Sequence, residues 1–389
     1  MISGLDKTQK KNFTLITLSN FFFFCNFSAF FLLPLYIKEL GGDKAQIGYI
    51  MGTFGITSLA SIPFVTFLID KYGRKYFIIL GGLLMTAGTL LFLTVDTIGL
   101  EIYLLRLLQG VGFAFAFTSA STSVSDNVPQ NIRAHGLGVF GAFTIASSAI
   151  GPSIGEYLIL RSGYEMFFIY AAAFSIVAVI LAMLAEEGIF TRANDRFALD
   201  FFKLIGSKRY RLILFTNLII ACGLGSILHF FSVFLRSRDF AVSTFFLTYT
   251  LTVITIRILG SKASDRYDRK LIAAPSMVIM GLSLVFVFLI NSFYTALLIS
   301  FLFSFGYGFL YPTISAIIID RASSSERGKA MGAFNASFSL GINYIAFPLG
   351  IIAKYWGFSV MYLLTGILVL LGSAFFIFIE KGNFNENKT

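Results

Sequence analysis

Apolar residues in this chain come in runs of more than 20, broken by short polar clusters, rather than as the one-sided stripes of a water-soluble helix. The runs span roughly 13–38, 45–69, 75–95, 98–125, 134–160 and 165–187, then 210–235, 240–264, 269–291, 293–320, 327–355 and 358–380. Each is long enough for a helix to cross the ~30 Å hydrocarbon core of a bilayer. None alternates with period two, so helices are preferred over a β-barrel. The breaks fall at turn-forming or charged clusters such as Gly41-Gly42-Asp43-Lys44, Asp70-Lys71-Tyr72-Gly73-Arg74-Lys75 and Asp126-Asn127-Val128-Pro129. The pattern predicts an all-α membrane protein with 12 transmembrane helices.

Composition agrees. Of 389 residues, 57% are hydrophobic and only 13% charged, about half the charged share that coats a soluble domain. The first apolar run follows Lys7, Lys10 and Lys11 but is too long for a signal-peptide core, so it is read as the first span. Cys25 and Cys222 both fall inside apolar runs, and no disulfide framework is expected.

The net charge of +10 changes the picture only through its distribution. With both termini on one side, 22 of the 30 Lys and Arg residues lie on that side and 6 on the other, while Arg106 and Arg257 lie within spans. The positive-inside rule then places both termini in the cytoplasm of a prokaryotic inner-membrane protein, and nucleic-acid binding is not implied. The longest polar connection, 188–209, separates 1–187 from 210–389. Its interleaved Arg, Lys and Phe residues fit either an amphipathic surface helix or a charged linker.

The two halves repeat. Asp70 to Lys75 returns as Asp265-Arg266-Tyr267-Asp268-Arg269-Lys270 at an offset of 195. Asp126, Arg133, Gly138, Phe140, Gly112 and Gly163-Tyr164 return as Asp320, Arg327, Gly332, Phe334, Gly306 and Gly357-Phe358 at 194. A constant offset through spans and loops predicts a duplicated six-helix unit in parallel orientation. Such duplications place a substrate site at the repeat interface and expose it alternately to each side.

These residues resemble the signature motifs of the major facilitator superfamily. Asp70-Lys71-Tyr72-Gly73-Arg74-Lys75 is similar to its loop motif, although Thr66 replaces the leading glycine, as Ser261 does in the second copy, where Asp268 also replaces the inner one. Arg106-Leu107-Leu108-Gln109-Gly110-Val111-Gly112 and Gly151-Pro152-Ser153-Ile154-Gly155 are similar to motifs of spans four and five, the latter enriched in drug–proton antiporters. Ser147 and Glu156 depart from that last motif, where the family has glycine. The resemblance implies two six-helix bundles related by a pseudo-two-fold axis. It further implies that Asp70, held by Arg74 and completed by Asp126, latches the halves through the N-terminus of span eleven. Asp265, Arg269 and Asp320 recur as the same triad.

Charges inside spans cost about 2.5–3.5 kcal/mol on insertion scales and are functional candidates by default. Arg106, Glu156 and Arg257 are the proton-coupling or substrate candidates, and Glu156 is the acid best placed to exchange protons. His229 reads as a hydrogen-bonded packing histidine or, less readily, a proton relay. Gly110, Gly112, Gly151, Pro152 and Gly155 read as packing and bending positions. The run Phe21-Phe22-Phe23-Phe24 covers every face of a helix, so most of it is expected to face lipid.

No metal-ligand cluster, phosphate loop or nucleophile–base set appears, so no enzyme, cofactor, metal or ATP is expected. The expected function is proton-coupled efflux of hydrophobic or amphipathic small molecules by a monomer in the bilayer. Uptake or exchange of a small organic anion is the rival reading, motivated by Arg106 and Arg257. A non-transporting sensor or scaffold on the same fold is a third.

Overall fold

The computed structural model describes residues 5–129, 132–187, 207–259, 268–323 and 326–386. The described residues are helical throughout and divide into two compact units, residues 1–193 and 194–389.

The first unit holds α1 (Lys7–Ala29), α2 (Leu33–Glu39), α3 (Lys44–Tyr72), α4 (Lys75–Leu91), α5 (Leu100–Asn127) and α6 (Arg133–Leu184). A 3-10 turn at Phe30–Leu32 joins α1 to α2, with Pro34 at the start of α2, so the first span is broken near its far end. Polar clusters in the sequence become helix starts. Asp6 and Asp43 form capping boxes with Gln9 and Gln46, satisfying N–H groups that a helix leaves open.

α6 is too long to be one crossing, since a straight 52-residue helix would span about 78 Å. It folds back at Gly163, whose φ of +80° and ψ of −177° belong to backbone that only glycine adopts without strain. Hydrogen bonds from α1 prove the reversal. Asn20 and Ser28 reach Thr144 and Ser147 in ascending order, whereas Ser19 and Asn26 reach Ala178 and Ala171 in descending order.

The second unit repeats the plan with α7 (Lys208–Arg236), α8 (Val242–Leu259), α9 (Arg269–Val285), α10 (Phe293–Arg321), α11 (Arg327–Tyr344) and α12 (Ala346–Glu386). α12 reverses at Gly357, with φ +84°. Asn217 and His229 of α7 bond Phe334 and Ile342 in ascending order, while Gly372 packs on Ile219 and Tyr362 bonds Ser226.

Among the described residues, nine helical segments are long and apolar enough to cross a membrane, and a tenth, Val242–Ile258, is shorter. Two of the nine, His135–Leu184 and Lys329–Phe378, contain the reversals at Gly163 and Gly357. The helices therefore supply the twelve crossings read from the sequence.

The expectation for the phenylalanine run fails. Phe23 and Phe24 are buried, and Phe21 and Phe22 are half-buried. The reason is the place of α1: 72% of its apolar window is buried, and 89% of that of α7, against 39–50% for the other long spans. A central helix buries every face, so its rings pack on Phe113, Phe117 and Met85 instead of lipid. Of the 188–209 connection, read as a surface helix or a linker, residues 188–206 lie outside the described residues.

Candidate functional site

The turn between α3 and α4 is held by charge. Arg74, only 5% exposed, donates from Nε to Asp126 Oδ2 at 3.0 Å, from Nη2 to Asp70 Oδ1 at 3.1 Å and from Nη1 to the Ile69 carbonyl at 2.7 Å. Asp70 precedes Arg74 by four residues, and Asp126 lies in the last turn of α5. One guanidinium thus ties two helix ends together and sits at the negative C-terminus of α3. Across the turn, Glu187 accepts from the backbone N–H of Arg74 at 2.7 Å and of Lys75 at 2.9 Å. Gly73, with φ +96°, leaves room: a Cβ there would lie 3.0 Å from Glu187 Oε1. Sequence reasoning missed Glu187, because its partners lie 112 and 113 residues away.

The second unit builds the corner differently. Arg269 bonds Asp320, as Arg74 bonds Asp126. Asp268, in the place of Gly73, caps α9 with its own carboxylate, accepting from Lys270 N at 3.0 Å. A glycine with a distant glutamate is replaced by an aspartate that supplies the acceptor locally. Asp265 lies outside the described residues.

Arg106 is 3% exposed inside α5. Its Nη1 donates to Gln109 Oε1 at 2.8 Å, and its guanidinium lies over Phe54 at 4.7 Å and Phe30 at 5.7 Å from the ring centroids. Its buried Nε has no hydrogen-bond partner. Gln109 continues through Thr89 to Asn26, whose amide donates to Thr89, Ser175 and the Ala171 carbonyl. The result is a buried polar chain linking α5, α4, α1 and the second limb of α6.

Glu156 is 5% exposed and is the one carboxylate in the buried core of the described residues. Its neighbour Gly155 packs against Leu32 and Phe167, and Phe167 in turn packs on Phe30. Arg106 and Gly155, the residue before Glu156, therefore border one aromatic cluster. Arg257 lies over the ring of Tyr311 at 5.2 Å, also with a buried Nε lacking a partner. His229 bonds the Ile342 carbonyl through Nε2 at 3.1 Å.

The motif glycines sit at helix crossings. A Cβ on Gly110 would lie 2.1 Å from Thr57 Oγ1, and one on Gly112 2.9 Å from the Gly81 carbonyl. On Gly151 it would lie 2.3 Å from Ser28 Oγ, beside Pro152 within α6. Helices approach this closely only where no side chain intervenes. Cys25 and Cys222 are free thiols buried in α1 and α7.

Comparison with known proteins settles the family. The sequence profile of the Major Facilitator Superfamily matches residues 15–256 and 213–388. The chain belongs to the major facilitator superfamily. It is 24% identical over 367 residues to an uncharacterized MFS-type transporter of Methanocaldococcus jannaschii, covering 90% of this chain and 93% of that protein. It is 26% identical over 342 residues to multidrug resistance protein 1 of Bacillus subtilis, covering 85% and 87%. The crystal structure of a POT family transporter in complex with a thioalcohol-conjugated peptide superposes with a TM-score of 0.81 at 13% identity, over 96% of both chains. This chain is thus a multi-pass membrane transporter and not an enzyme.

Within this superfamily member, the asparagine ladder is a second feature the sequence reading missed. Asn20 donates to Thr144 at 2.8 Å, and Asn217 to Ser337 at 2.8 Å. The signal was available: Ser19-Asn20 and Thr216-Asn217 recur at an offset of 197, as do Cys25 and Cys222.

Proposed function

We propose that this transporter exports hydrophobic or amphipathic small molecules in exchange for protons, by alternating access of a site served by both repeats. In this reading it acts as a monomer in the cytoplasmic membrane of a prokaryote, with both termini cytoplasmic. The observation that carries it is Glu156, the one carboxylate buried in the core of the described residues, within a membrane helix and next to the Gly151–Gly155 motif, which makes it the candidate for proton exchange. In this reading Arg106, buried in α5, biases that exchange. Multidrug resistance protein 1 of Bacillus subtilis, aligned over most of both chains, supports export as the direction.

Asp70, Arg74 and Asp126, with Asp265, Arg269 and Asp320 in the second repeat, are proposed as the latch that forms and releases between conformations. The compact Arg74 network supports this, since a topology signal alone requires cations but not matched carboxylates.

The test is proton movement in proteoliposomes under an imposed pH gradient, with a panel of cationic, neutral and anionic amphiphiles. Glu156→Gln is expected to abolish substrate-driven proton flux while leaving downhill substrate exchange. Full proton flux in Glu156→Gln would refute the coupling role. A second reading, uptake or exchange of a small organic anion, is favoured by the unpartnered Nε atoms of Arg106 and Arg257. Carboxylate accumulation lost in Arg106→Ala would favour it over export.

A further inference from the structure

The repeat allows a direct comparison of the two units, position by position. In the first unit, Phe54 of α3 packs on Phe113 of α5 at 5.4 Å between ring centroids, and Phe113 packs on Phe117 at 5.5 Å. At the repeat offsets of 195 and 194, these three positions become Tyr249, Tyr307 and Tyr311, and Ile62 becomes Arg257. The packing recurs: Tyr249 and Tyr307 stack at 5.8 Å and 26°. Phenylalanine and isoleucine satisfy this corner of the fold, so the three hydroxyls and the guanidinium of the second unit exceed what packing requires.

The added polar groups form one cluster. The Arg257 guanidinium lies over Tyr311, and its charge acts on Tyr249, Tyr307 and Tyr311 alike. The Tyr249 and Tyr307 rings stack on one another, and Tyr311 donates to Asn335 Oδ1 at 3.5 Å. A Cβ-first helix geometry explains the reach. Arg257 lies eight residues beyond Tyr249 in α8, and helical side chains lean toward the N-terminus, which shortens the distance between them.

Among the described residues, what the cluster lacks is an anion. The ion pairs of Lys11, Arg74 and Arg269 do not involve Arg257. Its buried Nε finds no acceptor. A ring face compensates part of a guanidinium's charge but accepts none of its in-plane N–H bonds. A carboxylate supplies the missing acceptors in bidentate geometry.

We propose that Arg257, Tyr249, Tyr307 and Tyr311 form an anion subsite in the second unit that takes the carboxylate of an aromatic amphiphile, its ring lying among the tyrosines. The proposal rests on the chain transporting amphipathic molecules, but not on the direction or the coupling ion. It makes the substrate anionic or zwitterionic rather than a simple lipophilic cation.

The test is equilibrium binding to the purified full chain in detergent, over protein-free micelles, of 2-naphthoate and its uncharged isostere 2-naphthamide. Wild type is expected to prefer the carboxylate by about tenfold or more. Arg257→Ile, which installs the residue of the first repeat, is expected to abolish that preference while still binding naphthamide. Arg257→Lys is expected to keep part of it. Absence of saturable naphthoate binding, equal affinities in wild type, or a preference that survives Arg257→Ile would each overturn the subsite. Should Arg257→Ile bind neither ligand, Arg257→Lys decides, and loss of all preference there also overturns it. Because binding is read without flux, failure here is distinct from failure of proton-coupled export.

Discussion

A guanidinium has five N–H groups in a fixed fork, and Arg74 directs them at Asp70, Asp126 and a helix-terminal carbonyl at once. Its burial makes each partner matter, because a buried cation that loses a carboxylate keeps its desolvation cost. Asp126 is itself 30% exposed, so solvent moderates the loss to about 1–2 kcal/mol. Asp126→Asn is expected to lower the melting temperature of the detergent-solubilised protein slightly and the transport rate several-fold, with membrane insertion unchanged. Transport at the wild-type rate would remove Arg74 and its partners from the latch. Asp70 and Arg74 were legible in the sequence because they are four residues apart and recur in the second repeat. Glu187 was not, since a carboxylate ending one span carries no local mark of the turn it reaches.

At the level of elements, the two folded-back helices depend on one backbone conformation each. Nothing lies within 4 Å of where a Cβ would stand on Gly163 or Gly357, so a substitution there meets no clash. The cost of Gly163→Ala is therefore backbone strain alone, of order 1–3 kcal/mol, read as a lowered thermal midpoint, with the same change expected for Gly357→Ala. An unaltered midpoint would mean that the hairpin tolerates another geometry. The twelve spans were legible because bilayer thickness fixes their length and lipid their composition. Less visible was which helix is central. Phe21 to Phe24 read as lipid-facing because composition does not distinguish a helix surrounded by lipid from one surrounded by other apolar helices. The asparagines of α1 and α7 were the available clue, since polar side chains inside spans face protein rather than lipid.

For the molecule as a whole, the repeat conserves scaffold and varies chemistry. Both units keep the charged turn, the glycine reversal and the central asparagine-bearing helix. The embedded charges do not repeat. Arg106 and Glu156 belong to the first unit, and Arg257 with its tyrosines to the second, at positions where the opposite unit has Ser300, Gly350 and Ile62. Duplication thus accounts for the architecture, and its departures mark where proton exchange and substrate recognition are proposed. The most direct test is flux through the wild-type protein in sealed proteoliposomes under an imposed pH gradient. The account predicts that the gradient persists until an amphipathic compound is added and then collapses as that compound moves against the proton flow. A gradient that no compound dissipates, with no compound crossing in either direction, would contradict it.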